Sequence, residues 1–355
     1  MGACSSSAAV TKDNSKPSVI IAILGTGGVG KSTLFKQVKL LTNMDYSDDQ
    51  KEAFMPYLIF NVMGAMKALK ERINKRQGEY GEPVSDASCD LIDAFPAQDW
   101  RSNAKLANPE ERGSILANIG EAWKDPVLRD AWAQMDADKS YVGWTAVDEL
   151  APQLLSHVDV ICAPGYVPDS KHLILLRRKT RGIEQLDFSE PENGQMVRLI
   201  DLGGQVCERQ MWEMHLQECS AVIWMVALSD YNRVSKEGSG ENCLRESIRV
   251  FEEIAKEKTF RGLPFVLLFN KDDVFREKLK KQDLSEIPTF DSYRGDTVAD
   301  AYQFIAQRFL QLSEDNQHYS TCFRTCATDT EVVTKIWNSM LESIIGSSLG
   351  NAGLM

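Results

Sequence analysis

No cysteines in this 355-residue chain sit in C-x-x-C pairs of the kind that bind zinc or carry redox chemistry. The eight cysteines stand at 4, 89, 162, 207, 219, 243, 322 and 326, with no C-x-x-C among them and no secretory leader before them. Reduced thiols in a cytosolic protein are therefore expected, not a disulfide framework. A long hydrophobic run is also missing. The longest aliphatic stretch, "AVIWMVAL" at 221–228, is too short to cross a bilayer and reads as a buried strand. There is no excess of positive charge either: 40 Lys and Arg against 51 Asp and Glu give a net charge of -11, the wrong sign for a nucleic-acid binder. What remains is an ordinary globular mixture, 43% hydrophobic and 26% charged, long enough that two domains are expected.

The first stretch that carries chemistry is "IIAILGTGGVGKSTLFKQVKLL", residues 20–41. Its glycines fit two templates. Gly25, Gly27 and Gly30 spell the dinucleotide fingerprint G-x-G-x-x-G, whereas Gly25, Gly30, Lys31 and Ser32 spell the phosphate loop G-x-x-x-x-G-K-S. A dinucleotide fold needs a second strand ending in an acidic residue about 20 positions on. Here that window reads "TNMDYSDDQKEAF", polar and opening a helix, and the Lys31-Ser32 pair would have no role. In a phosphate loop each residue has one. Backbone N–H groups of residues 27–32 cradle phosphates, within a nucleotide-binding set of Gly25, Thr26, Gly27, Gly28, Val29, Gly30, Lys31, Ser32 and Thr33. Lys31 neutralises the outer ones and Ser32 ligates magnesium. The ligand is a nucleoside triphosphate.

The base is read some 240 residues downstream. "PFVLLFNKDD" is an apolar strand running into Asn270, Lys271 and Asp273. A buried carboxylate at Asp273 accepts from the ring N–H and exocyclic amine of guanine. Adenine would leave it unpaired, at a cost of roughly 1–3 kcal/mol or more. Lys271 lies along the base, and in "CFRTCATD" the N–H of Ala327 is available to the guanine carbonyl. Between these motifs, "MVRLIDLGGQVCERQMW" is a strand ending at Asp201 and followed by Gly204 and Gln205. Asp201 is placed to hold a magnesium-bound water, the Gly204 N–H to sense a γ-phosphate, and Gln205 to orient an attacking water.

Roughly 120 residues separate the phosphate-loop helix from the next switch-like segment, and they have helical periodicity of their own. Phe54, Leu58, Met66, Leu69 and Ile73 fall on one face of a helix that Pro56 and Gly64 are expected to delay or kink. Shorter helices are expected around 111–135 and 144–158, with Trp123, Trp132 and Trp144 as packing anchors. The expected architecture is an α/β GTPase domain with a mostly parallel sheet (19–44 and 166–355), interrupted by an all-helical domain (45–165) and preceded by a flexible segment (1–18).

With "YVPD", "RRKTRGI", "DLGGQ-x-x-ER-x-x-W", "VALSDY", "FNKDD", "TCATDT" and a terminal "GLM", the chain resembles the alpha subunits of heterotrimeric G proteins over nearly its whole length. The resemblance implies a Ras-like fold, magnesium as cofactor, and GDP or GTP as ligand. It implies that Arg177 is an in-chain arginine finger, that Thr180 joins Ser32 as a magnesium ligand, and that Gln205 positions water. It also implies that Arg209 and Glu246 pair to lock the second switch against the next helix. The partners implied are a beta-gamma dimer, a membrane receptor at the C-terminal helix, and effectors and GTPase-accelerating proteins at the switches. On that final helix Val332, Ile336, Met340, Ile344 and Leu349 fall near one face.

The departures from the family pattern lie at the site itself. The family's GAGESGKS has Glu-Ser where this chain has Gly28-Val29, and that glutamate pairs with the switch arginine; looser control of Arg177 and faster nucleotide exchange are expected. Arg181 replaces a usual threonine and Val206 a usual arginine. The segment before the first strand leaves little room for the helix that grips beta-gamma, so weakened or altered binding is expected. Ala352 occupies the place of the cysteine modified by pertussis toxin, which should fail here. "MGACSS" fits an N-myristoylation pattern at Gly2 with Cys4 as a palmitoylation candidate, implying attachment to the cytoplasmic face of the plasma membrane. One myristoyl chain binds marginally, so Cys4 is needed as the second anchor. Two other readings are a GTP-holding module with negligible turnover and a P-loop ATPase or kinase, the latter opposed by Asp273.

Overall fold

The computed structural model describes residues 19–75, 83–94, 108–137, 152–178, 180, 182–190, 194–235 and 240–351. Three apolar runs, VIIAIL, AVIWMVA and FVLLFN, form strands β1 (Val19–Leu24), β4 (Ala221–Ala227) and β5 (Phe265–Asn270). Runs without alternation are what a sheet covered on both faces requires. Strand β2 (Ile183–Ser189) alternates buried and exposed positions, as a strand at an edge does. It pairs antiparallel with β3 (Met196–Leu202); β6 (Ser320–Arg324) completes the sheet. The order is β2-β3-β1-β4-β5-β6, and every pairing except β2–β3 is parallel.

Side chains along each strand divide between two cores because successive residues point to opposite faces. Ile21 and Ile23 pack with α1 (Lys31–Leu41) and the final helix (Thr330–Asn351). Ala22 and Leu24 pack on the other face, with helices Cys243–Lys256 and Val298–Asp315. The final helix meets the sheet through Val333, Trp337, Met340, Leu341, Ile344 and Ile345. Of the residues expected on this face, Met340 and Ile344 are buried in the contact, Ile336 packs partly buried against it, and Val332 is only partly buried. The side chain of Leu349 lies outside the described residues.

A third core belongs to the helices between α1 and β2. Its spine is α2 (Asp48–Lys75), which presents Leu58, Val62, Met66, Leu69 and Ile73 to α3 (Asp86–Asp93) and to helices Pro109–Ala122 and Pro126–Ala137. Helix α2 starts at Asp48 and continues through Pro56 and Gly64, so the expected late start does not occur. Proline removes a hydrogen bond to the carbonyl of Glu52, an exposed residue in the early turns, and burial of Pro56 beside Met55, Leu58 and Ile59 offsets the loss. Trp123 and Trp132 are packing anchors in this core; Trp144 lies outside the described residues. The cluster reaches Leu173, Leu175 and Leu176, past the boundary expected at 165.

Position follows from topology. Strand β1 lies between β3 and β4, so the chain leaves it in opposite directions, and the C-terminal ends of β1, β3, β5 and β6 open on one edge. Open α/β sheets bind ligands at such a switch point. The core beneath it is aromatic: Phe251 meets Trp224, Phe265 and Phe309 at centroid distances of 5.1, 5.3 and 5.4 Å. Phe251→Ala is expected to cost about 3–5 kcal/mol of stability, read as a lowered midpoint in urea unfolding.

Candidate functional site: a phosphate-loop cleft

The loop between β1 and α1 turns on glycines. Gly28 and Gly30 have φ of +82° and +106°, in the left-handed region that glycine enters without steric cost. Lys31 Nζ donates to the carbonyls of Gly25 (2.8 Å) and Thr26 (2.9 Å), which lays the cation along the loop's rim. Gly204 closes on the same place. A Cβ on Gly204 would stand 2.1 Å from Lys31 Nζ and 2.4 Å from the Gly25 carbonyl oxygen.

Beneath the loop three oxygen-bearing side chains converge. Ser32 Oγ donates to Asp201 Oδ2 at 2.8 Å, Thr180 Oγ1 to the same oxygen at 3.3 Å, and the two hydroxyls touch. Asp201 is fully buried, and its Oδ1 has no hydrogen-bond partner. Burial pushes this carboxyl up to about 6, while the Lys31 cation and the Ser32 hydroxyl pull it down. A hard oxygen set with an orphaned, poorly solvated carboxylate oxygen fits magnesium. No cluster of three His, Cys, Asp or Glu exists among the described residues, so a cation here would rely on hydroxyls and ligand phosphates.

At the far end, Lys271 takes a left-handed conformation (φ 61°) that ends β5 and starts helix Asp272–Leu279. Asn270 is a brace. Its Nδ2 donates to the Val29 carbonyl at 2.8 Å, and its Oδ1 accepts from the N–H of Ala327 at 2.9 Å. The Ala327 N–H expected to be available to guanine is therefore engaged by a side chain. Asp273 also differs from expectation: it is exposed on the rim at the start of its helix, so a penalty for leaving it unpaired arises only once a base covers it.

One open cleft collects most of these groups. Gly27, Gly28, Gly30, Lys31, Ser32 and Thr33 line it from the loop; Arg177, Thr180, Gly204 and Gln205 from the two switch segments; Asn270, Lys271, Asp273 and Ala327 from the far end. Gly25, Thr26 and Val29 are not in its lining, nor is Asp201, buried beneath Ser32. Arg209 and Glu246 stand to one side, joined at 2.6 Å, with Arg209 Nε also donating to the Gly204 carbonyl at 3.1 Å. Gly2 and Cys4, like Lys179, Arg181 and Ala352, lie outside the described residues.

The adjacent arginines separate clearly. Arg177 lies against the phosphate loop, where a Cβ on Gly28 would be 3.3 Å from its Nη2. Arg178, also in the cleft lining, makes an ion pair with Glu184 and stacks over Phe54 and Tyr57.

Comparison with known proteins adds the family. The profile of the G-protein alpha subunit matches residues 4–344. The chain belongs to the G-protein alpha subunit family. It is 30% identical over 344 residues to the guanine nucleotide-binding protein alpha-2 subunit of Caenorhabditis briggsae, covering 97% of this chain and 92% of that protein. The alpha-7 subunit of the same species is 30% identical over 349 residues (97% and 94%). The alpha-2 subunit of Dictyostelium discoideum is 29% identical over 344 (95% and 91%). Membership carries guanine-nucleotide binding and a role in heterotrimeric G-protein signalling.

Three supports of this alpha subunit's cleft were not singled out from the sequence. Lys36 is buried and donates to the carbonyls of Leu173 (2.9 Å) and Leu176 (2.7 Å), at the end of helix Ser170–Leu175 just before Arg177. Gln37, fully buried, donates to the Ala327 carbonyl at 3.0 Å. Asn61 of α2 bonds the backbone of Arg177. Each is a polar residue inside an apolar helical stretch, and that is the signal that could have marked it.

Burial, with the Arg178 cation nearby, lowers the Lys36 pKa from 10.5 to about 8. The folded chain then binds fewer protons at Lys36 than the unfolded chain between about pH 8 and 10.5. Its stability relative to Lys36→Met should rise with pH across that window, by about 1.4 kcal/mol per unit at most, and be flat below it. Parallel denaturation series of the two proteins read this directly. Gly204→Ala should push the switch turn off Lys31, measured as weaker binding of a non-hydrolysable GTP analogue with GDP affinity retained.

Proposed function

We propose that the chain is a GTP-driven switch that hydrolyses GTP slowly with its own Arg177 and Gln205. The observation that carries this reading is the shared cleft. Lys31, Ser32, Thr180, Gly204, Gln205 and Arg177 border one end of it, and Asn270, Lys271 and Asp273 the other.

In this reading the loop N–H groups and Lys31 take the β- and γ-phosphates, and Asp273 accepts from the guanine edge. Gln205, half-buried at the start of the turn Val206–Met211, orients the water whose oxygen attacks the γ-phosphorus as the bond to the β-phosphate oxygen breaks. Arg177 neutralises the charge that builds on the leaving oxygen. Magnesium, held by the hydroxyls of Ser32 and Thr180 with Asp201 behind them, would supply positive charge between the outer phosphates. The Arg209–Glu246 pair, tied to the Gly204 carbonyl, is the means by which a γ-phosphate at Gly204 would be felt on helix Cys243–Lys256.

The same reading includes anchoring to the cytoplasmic face of the plasma membrane through acylated Gly2 and Cys4. None of the described helices is long and apolar enough to cross a membrane. It also includes a beta-gamma dimer as partner, a receptor engaging the final helix, and effectors and GTPase-accelerating proteins at the switches. These rest on the family and on sequence motifs.

Single-turnover hydrolysis of bound GTP tests the chemistry. Arg177→Cys and Gln205→Leu should each slow it by roughly 100-fold while a non-hydrolysable analogue still binds. Unchanged rates would reduce the chain to a GTP-holding module. Asp273→Asn should lower the preference for GTP over ATP by at least about tenfold; ATP bound as tightly as GTP by the wild type would overturn the guanine assignment.

A further inference from the structure

Arg177 sits between helix Ser170–Leu175 and β2, outside any helix or strand, a poor scaffold for a group that must meet a developing charge within a fraction of an ångström. Its main chain is nevertheless held at both polar atoms by one side chain. The Arg177 N–H donates to Asn61 Oδ1 at 2.8 Å, and Asn61 Nδ2 donates back to the Arg177 carbonyl at 3.3 Å. Asn61 lies on α2, 116 residues away, in the helical segment with its own core. Phe54 and Tyr57, over which Arg178 stacks, are on the same helix. Phe54, Tyr57 and Asn61 follow i, i+3, i+7 spacing, so one face of α2 grips both arginines of the linker.

We propose that Asn61 is a positioning residue for GTP hydrolysis: by clamping the main chain of Arg177 to α2, it holds the guanidinium against the phosphate loop at Gly28. The inference rests on the GTPase reading above and goes beyond it by making the helical segment part of the hydrolytic machinery. Two features support the division of labour. The clamp acts on the main chain and takes up no atom of the guanidinium. Gly28, the loop residue beneath that guanidinium, has no side chain with which to fix it. Lys36, bonded to the Leu176 carbonyl one residue earlier, secures the linker from the α/β side, and Asn61 secures it from the other.

The test uses the full-length chain loaded with GTP in excess magnesium, followed through one turnover. Asn61→Ala should slow hydrolysis roughly tenfold or more, with affinities for GDP and for a non-hydrolysable GTP analogue within about threefold of wild type. Asn61→Asp, which keeps the oxygen accepting the shorter bond, should recover most of the rate. In an Arg177→Cys background, Asn61→Ala should add no further loss, because its effect passes through the arginine. A general loosening of the fold would slow both backgrounds alike. If Asn61→Ala does not fold, Asn61→Ser carries the same comparison. The proposal is overturned if Asn61→Ala, or Asn61→Ser in its place, hydrolyses at the wild-type rate while Arg177→Cys is slow, or if the loss persists at full size in the Arg177→Cys background. An Arg177→Cys protein as fast as wild type would remove the arginine assignment and this proposal with it.

Discussion

Everything at this cleft depends on loops from distant parts of the chain keeping a fixed separation, and the side-chain amide of Asn270 sets it. One end of that amide holds the Val29 carbonyl in the phosphate loop, the other the Ala327 N–H beyond β6. Gln37 returns the link from Ala327 to α1, and Thr330 Oγ1 donates to Gln37 at 3.2 Å, bringing in the final helix. A hydrogen bond between buried groups contributes only about 0.5–1.5 kcal/mol, but losing one partner leaves the other buried and unpaired. The circuit is therefore worth more as geometry than as stability: it converts parallel strand ends into a site with a fixed span from phosphate to base.

A second circuit runs on the opposite side of the cleft. Lys36 closes the end of helix Ser170–Leu175 by donating to the carbonyl of Leu173, which also accepts from the cap N–H of Leu176, and to that of Leu176 just beyond it; a cation suits that end of a helix dipole. Its burial carries a desolvation cost, visible in its lowered pKa. Retaining a charge there makes sense because the segment it secures leads into Arg177. The two circuits share α1, which carries Lys31 and Ser32 at its start and Lys36 and Gln37 a turn later, all but Ser32 buried. The helix after the phosphate loop thus supports both walls as well as the floor.

Much of this was legible in the sequence where a residue's role follows from a local pattern. The loop 25–33, the strand ends at Asp201 and Asn270 and the buried run at 221–228 are local features, and hydrophobic periodicity gave the helical segment with its own core. What could not be read were roles created by approach across the fold. Asn61 in "LIFNVMG" and Lys36 in "LFKQV" look like polar interruptions of apolar helices until the linker at 176–178 is laid against them. Burial of Asp273 depends on a base above it, which a local pattern cannot convey; without one, Asp273 at the start of its helix faces solvent. On the final helix Met340 and Ile344 were legible as contact residues, whereas Trp337, which packs against Phe188 at 6.1 Å, was not.

The two arginines of the linker lead somewhere else again. Its neighbouring side chains meet different partners: Arg177 the phosphate loop at Gly28, Arg178 Glu184 and the aromatic face of α2. The length of the segment is therefore constrained from two directions. Losing or gaining a single residue before Arg177 would offer the wrong side chain to the loop and leave the aromatic face without its cation, a constraint set by the spacing of two anchors and not by the chemistry of the nucleotide.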